Sequence, residues 1–301
     1  MARLAGISID VDPAHTHLQG YGISLGSSAA RPVYQYGLPR AIALFAEAKV
    51  SATFFFVAED IARFPEILRE VANAGHEIGC HSASHELPFD LSNPSRRQRE
   101  IADARKKLED LSGSEVVGFR APSWDSSDDL LNGLLDAGFK YDSSAYPSWA
   151  AWALRLLVRL KASGTSPNVH LPSLESLFAN AEPYLVEKNQ GNLAEIPVSS
   201  SRWLRLPYYH TMRFLLPSAV FNAVESSTLA RSGAINYILH GVDFIELHDP
   251  NVPQELARHP GMSIGIDDKL AGINSTLRRI CAARNAVPLK IIAQAVIDAR
   301  K

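Results

Sequence analysis

The sequence predicts an α/β fold, a parallel barrel of βα units, on three observations. Short apolar runs alternate with helix-like stretches of ~10–15 residues, the pattern of parallel βα units. Five strand-like runs, at 7–12, 77–81, 116–120, 139–142 and 235–240, close on a polar residue. The 301 residues, 46% of them hydrophobic, supply enough chain for a barrel of ~250 residues and its core.

The elements follow in order. Residues 4–10 read as a buried strand closed by Asp10, and 13–38, rich in Gly, Ser, Pro and Tyr, as a long loop. A helix over 39–48 opens on Pro39, which suits a first turn. The run Ala-Thr-Phe-Phe-Phe-Val at 52–57 is a second strand. Pro65 opens a helix to Ala74, Gly75 ends it, and 76–80 is a third strand. Residues 94–111 form a long polar helix whose charges (Arg97, Arg99, Glu100, Arg105, Lys106, Lys107, Glu109) read as a solvated outer face. Strands at 116–119 and 139–141 flank a helix at 128–137. The rhythm then breaks, since 146–190 and 199–233 are too long for simple loops. They are expected as insertions over the barrel mouth, separated by a short strand at 194–198. A strand at 235–239 and helices at 267–284 and 288–299 complete one domain over 1–301.

Charge and cysteine content narrow the function. The formal net charge is −2, with no long run of one sign, which argues against nucleic acid. Cys80 and Cys281 form no Cys-x2-Cys pair and read as buried thiols in a reducing compartment. Cys80 could line a site, with His81 the better ligand. No secretory leader pattern precedes the first strand, so the expected compartment is the cytoplasm. No run approaches the ~20 apolar residues of a membrane span. The stretch 149–161 carries Trp149, Trp152, Arg155 and Arg159 on an otherwise apolar helix. It fits a helix lying on the inner face of a membrane or one that covers the core.

A parallel barrel gathers its strand ends on one face, where its chemistry sits. Asp10 and Asp12 are two apart and on an extended strand point to one side. Two such carboxylates repel unless a cation or proton separates them. One can bind a metal while the other acts as a base, although Asp-x-Asp-Pro also suits a plain strand exit. His81 and His85, four apart, would lie on one face of a helical turn, as at zinc sites. Two histidines and one carboxylate leave positions open for water and substrate. Arg120 leaves the fourth strand and can pair with a carboxylate, or be a surface residue before Pro122. Trp124 is a substrate platform or core packing. His240 ends a very apolar run, where it is either a satisfied core residue or a general acid for a leaving amine.

Together, Ser8-Ile9-Asp10-Val11-Asp12, Thr53-Phe54-Phe55, 73–79 and His81-Ser82-Ala83-Ser84-His85 resemble the polysaccharide deacetylase family, the chitooligosaccharide deacetylase homology domain of carbohydrate esterase family 4. Phe119-Arg120-Ala121-Pro122-Ser123-Trp124, Tyr141-Asp142-Ser143-Ser144 and Leu239-His240 resemble its later motifs. The resemblance implies a distorted parallel (β/α) barrel of seven or eight strands. It implies a divalent metal, usually zinc, on Asp12, His81 and His85, with Asp10 as general base and His240 as general acid. Arg120 would orient Asp10, Asp142 would either partner His240 or play a structural role, and Pro122 and Trp124 would line the acyl pocket. Three departures stand out: Val11 between the two aspartates, Ser123 before the aromatic, and Gly241 directly after the histidine.

The expected activity is removal of an N-acetyl or N-formyl group from an amino sugar. A cytoplasmic deformylase-like branch acting on a polyprenyl- or nucleotide-linked glycan is the finer expectation. The alternatives are a cyclic-amide amidohydrolase resembling allantoinase and a non-catalytic carbohydrate-binding relic. His15, His17, His210 and His248 are left without a role.

Overall fold

The computed structural model describes residues 3–19, 23, 31–87, 89–149 and 179–300. Its centre is a curled, mostly parallel sheet. The strands are β1 (Leu4–Val11), β2 (Thr53–Phe56), β3 (Glu77–Cys80), β4 (Gly118–Phe119), β5 (Tyr141–Asp142), β6 (Tyr184–Lys188), β7 (Gly191–Glu195), β8 (Ile235–His240) and β9 (Asn285–Val287). Their order is β6-β7-β5-β4-β3-β2-β1-β8, with β9 against β1. Only the β6–β7 pair is antiparallel among the described strands. The result is the expected distorted barrel, left open between β8 and β6. The principal helices are α1 (Leu38–Ala48), α2 (Pro65–Asn73), α3 (Ala104–Ser112), α4 (Asp128–Asp136), α5 (Ser218–Leu229), α6 (Ile266–Ala283) and α7 (Leu289–Asp298).

The strand period of two sorts the wall into two faces. Ile7, Ile9, Val11, Phe54, Phe56, Ile78, Phe119, Tyr237 and Leu239 join the main apolar core outside the sheet. Each such fully buried large side chain contributes ~1.5–3 kcal/mol. Cys80 belongs to this outer set, so it packs in the core and does not line the site. The inner face carries polar groups. Ser8 Oγ donates to Asn236 Oδ1 at 2.9 Å. Lower down, Thr53 Oγ1 and the Tyr141 hydroxyl donate to Glu77 at 2.7 and 3.0 Å. The first amides of α7, on Leu289 and Lys290, donate to Thr53 Oγ1 and Glu77 Oε2 at 2.9 and 3.0 Å. The acid thus caps a helix N-terminus, the end that favours negative charge. Gly118 makes room for Tyr141: a Cβ there would lie 2.0 Å from its ring.

Several expectations change. Residues 94–111 are two α-helical pieces joined by a π-helical turn, Arg99–Asp103. That turn rotates Glu100 inward, so it is fully buried rather than part of a solvated face. The β6–β7 hairpin was not expected, although Asn189-Gln190-Gly191 is a turn signal within a polar stretch. The stretch 199–233 contributes more than a cover, because Tyr208, Phe221 and Val224 lie in the main core. The 150–161 part of the amphipathic helix at 149–161 falls outside the described residues. Among the described residues no helix is long and apolar enough to cross a membrane.

Candidate active site

β1, β3, β4 and β8 end on the same face of the sheet, and their exits carry the predicted residues. Asp12 follows β1 directly, and His81 follows β3 directly. His81 Nε2 lies 3.0 Å and His85 Nε2 3.4 Å from Asp12 Oδ1. One ligand atom from each residue falls within 4.8 Å of the others. The two imidazoles do not share a helical turn, contrary to the spacing argument. A loop brings them together, with Ser82 and His85 in the left-handed region at φ 68° and 56°. Glu100 holds that loop, accepting from Ala83 N (3.0 Å), Ser84 N (3.1 Å) and Ser84 Oγ (2.9 Å). A π-helical turn beside a functional site is a recurring association. Here it supplies the anchoring carboxylate.

The donor set fits a divalent cation. His81 Nδ1 donates to the Arg120 carbonyl at 2.6 Å, which turns the lone pair of Nε2 toward Asp12. Buried Asp12 Oδ1 then has no hydrogen-bond donor. Burial pushes the Asp12 carboxyl up, but His85, His81 and His17 outweigh it and hold the group well below the usual range, so it is ionised. Burial drives His85 down to about 4 against the pull of Asp12, so its ring is neutral. Burial also opposes charge on His81, yet Asp12 raises it.

Asp10 is held from the opposite side. The fully buried Arg120 pairs through Nη1 with Asp10 Oδ1. Its Nη2 donates to Ser8 Oγ (3.0 Å) and Ser143 Oγ (2.9 Å), and Nε to the Ser143 carbonyl (3.2 Å). The guanidinium also lies over the Phe55 ring, 4.2 Å from its centroid. Arg120 is therefore a structural clamp and not a surface residue. The other oxygen of Asp10, Oδ2, lies 3.9 Å from His240 Nε2.

His240 stands in an aromatic wall. Its ring meets Trp124, Tyr209 and His17 at 6.0, 6.4 and 5.7 Å. Trp124 itself packs on Tyr146 at 5.0 Å and Tyr209 at 5.6 Å. Ser123 and Trp124 take left-handed φ values of 57° and 54° after buried Pro122, which swings the indole into the mouth. The His240 amide donates to Asp243 Oδ2 at 2.8 Å. Asp142 does not partner His240. It accepts from Ser143 N (2.8 Å) and Ser144 Oγ (2.5 Å), and it shares a hydrogen bond with Glu195. Burial pushes Asp142 up to about 6 and Glu195 well above its usual range, so this pair holds a proton. The exit of β5 turns Asp142 toward β7, away from the mouth.

Sequence reasoning missed several positions. His17 Nε2 lies 3.8 Å from Asp12 Oδ2, and its ring meets His259 at 4.9 Å. His17 was visible as the second histidine on the loop leaving β1. His259 is brought in by folding alone and left no local signal. Glu100 and Glu195 look like ordinary surface acids in the sequence.

Comparison with known proteins agrees with this geometry. Residues 32–141 match the family model described as Polysaccharide deacetylase. The matched segment contains His81, His85, Arg120 and Trp124. Over 148 residues, 47% of this chain and 49% of the relative, the sequence is 32% identical to a peptidoglycan deacetylase of Helicobacter pylori. The chain spans about half the length of the curated relatives it matches first. In structure it is similar to a Mycobacterium smegmatis protein assigned as a polysaccharide deacetylase, with TM-score 0.64 and 21% identity, over 99% of this chain and 91% of that one. It is also similar to Puue allantoinase, with TM-score 0.63 and 15% identity over 97% and 90% of the two chains. Both likenesses establish the fold.

Proposed function

We propose that this chain is a metal-dependent hydrolase that removes an N-acyl group, acetyl or formyl, from an amino sugar. One observation carries the reading: Asp12, His81 and His85 converge on a common point, and Asp10 and His240 face each other 3.9 Å apart beside them. The sequence likeness to a peptidoglycan deacetylase supports the sugar substrate.

Asp12, His81 and His85 would hold the cation, for which zinc is the natural candidate given two imidazoles and one carboxylate. A divalent cation there supplies Lewis acidity toward a carbonyl and lowers the pKa of water. Asp10 offers Oδ2 to accept a proton from the attacking water, while Arg120 keeps Oδ1 occupied and the carboxylate oriented. His240 Nε2, on the far side of Asp10 Oδ2, delivers a proton to the departing amine. Trp124, Tyr146 and Tyr209 give a sugar ring an apolar face to lie on.

The test is release of free amine, with acetate or formate, from N-acetylglucosamine oligomers, peptidoglycan fragments and N-formylated amino sugars by zinc-loaded protein. No amine from any of them would sink the reading. Cleavage of allantoin instead would favour the cyclic-amide alternative. The narrower proposal of a polyprenyl-linked substrate in the cytoplasm rests on the stretch 149–161. It predicts co-sedimentation with anionic vesicles that deletion of this stretch abolishes.

A further inference from the structure

Behind the β8 wall lies a second cavity of about 340 Å³, lined by His210, Arg213, Ser218, Asn222, Asp268 and Lys269 among others. It does not belong to the mouth. His240 points inward from β8, whereas Tyr237, three residues earlier, points outward and bonds His210 Nδ1 at 2.8 Å. The chain divides the two sites between neighbours, with Tyr209 in the mouth wall and His210 in the outer cavity.

Four features of this cavity favour an anion. His210 is fully buried, and its Nε2 has no hydrogen-bond partner. Burial drives the ring down to about 4, so it carries one proton. In the tautomer where the Tyr237 hydroxyl donates to Nδ1, that proton sits on Nε2 as an unmet donor. Arg213 lies over the Phe221 ring at 5.8 Å and makes no ion pair among the described residues. Ser218 opens the twelve-residue helix α5 with no side-chain cap and no acid in its first turn, so free amides and the positive end of the helix are available. Lys269 adds positive charge, although its Nζ already donates to the Val242 and Ile245 carbonyls at 2.9 and 2.7 Å. Apolar walls from Phe214, Phe221 and Ile264 strengthen any such charge interaction.

Among the lining residues Asp268 is the one acid, an exposed carboxylate at the rim, while buried Asp243 acts on His210 and Lys269 from outside the lining. Asp268 repels a fully ionised anion but accepts a hydrogen bond from one that keeps a proton. Phosphate near neutral pH keeps a proton and sulfate does not. We propose that this cavity is a binding site for a protonated tetrahedral oxyanion, namely phosphate, or a phosphate monoester in the monoanionic form that still keeps a proton. Arg213, His210 Nε2 and the start of α5 are its donors, and Asp268 is its selector.

The experiment is isothermal titration of the intact protein with inorganic phosphate, glycerol phosphate and sulfate, each with and without bound zinc. Saturable phosphate binding is expected, tighter than sulfate, and retained in Asp12→Ala because the metal site is separate. A monoester that binds as well as phosphate points to a phosphorylated metabolite, and one that binds less well points to the free ion. Either result supports the site. Arg213→Ala should weaken phosphate at least ~10-fold, the range for a hydrogen bond to a charged group. Ser218→Asp should do the same without harming the fold, since an acid suits a helix start. No saturable binding, or binding unchanged in both variants, overturns the proposal. Equal affinity for sulfate and phosphate overturns the role of Asp268.

Discussion

Replacing Arg120 with Met is the most informative single change to the mouth. The guanidinium is fully buried and supplies the cation for Asp10, itself only 2% exposed. Its other partners have alternatives: Ser8 Oγ retains Asn236, and Ser143 Oγ retains Ile196 O at 2.7 Å. The cost is therefore dominated by one carboxylate left in a dry site, and breaking a buried ion pair on one side costs ~3–5 kcal/mol. That is a large share of the ~5–15 kcal/mol by which a folded domain is stable. The double variant Asp10→Asn/Arg120→Met removes the stranded charge and should lie within ~1–2 kcal/mol of the starting protein. Urea unfolding followed by the fluorescence of the four tryptophans gives each free energy by linear extrapolation. If Arg120→Met cost less than ~1 kcal/mol, or if the double variant were no better than the single, the clamp would not be what holds Asp10 in place.

Asp12→Ala or His81→Ala should weaken zinc binding by more than the ~10–100-fold typical of outer-shell changes, read by competition with a chelator; unchanged affinity would exclude these ligands. His240→Asn should lower kcat by ~10²–10⁴ while leaving zinc affinity alone, and an equal loss of both would recast His240 as a ligand or a packing residue. Asp142 and Glu195 have folded pKa values raised by burial, so their neutral forms stabilise the fold at low pH and this contribution is lost as pH rises through about 6 and above. Glu195→Gln, which cannot ionise, should therefore gain stability over the parent progressively as pH rises above the ordinary carboxylate range of about 4, with the full gain only above the raised folded values; a difference that is flat with pH would refute the shared proton. His210, held near 4 by burial, acts in the opposite sense: its stabilisation is full above its ordinary 6.5 and fades as pH falls toward 4. His210→Gln should accordingly flatten the acid side of the unfolding midpoint profile.

The parts of this molecule that could be read in advance share one physical cause. A parallel strand buried on both sides must be apolar until it reaches the rim, so the residues that end its apolar run mark the functional face. Asp10, Asp12, His81, Arg120 and His240 were legible for that reason, and the resemblance to the deacetylase motifs supplied the roles proposed for them. The rest depended on geometry that no local pattern encodes. Asp142 satisfied the same rule as the others, yet its rotation places it against Glu195 across two strands. Glu100 sat in a densely charged helical stretch and was rotated inward by one π-helical turn. His17 and His259 meet through residues more than two hundred positions apart.

The polar cap beneath the barrel has a bearing on traffic. Thr53, Phe55, Tyr141 and Leu289 are all fully buried, and they stack with Glu77 over the end of α7. Nothing can thread through such a stopper, so the base of the sheet is closed beneath the candidate site. A substrate of the kind proposed above would therefore enter and its products leave on the side of the strand ends, not through the base.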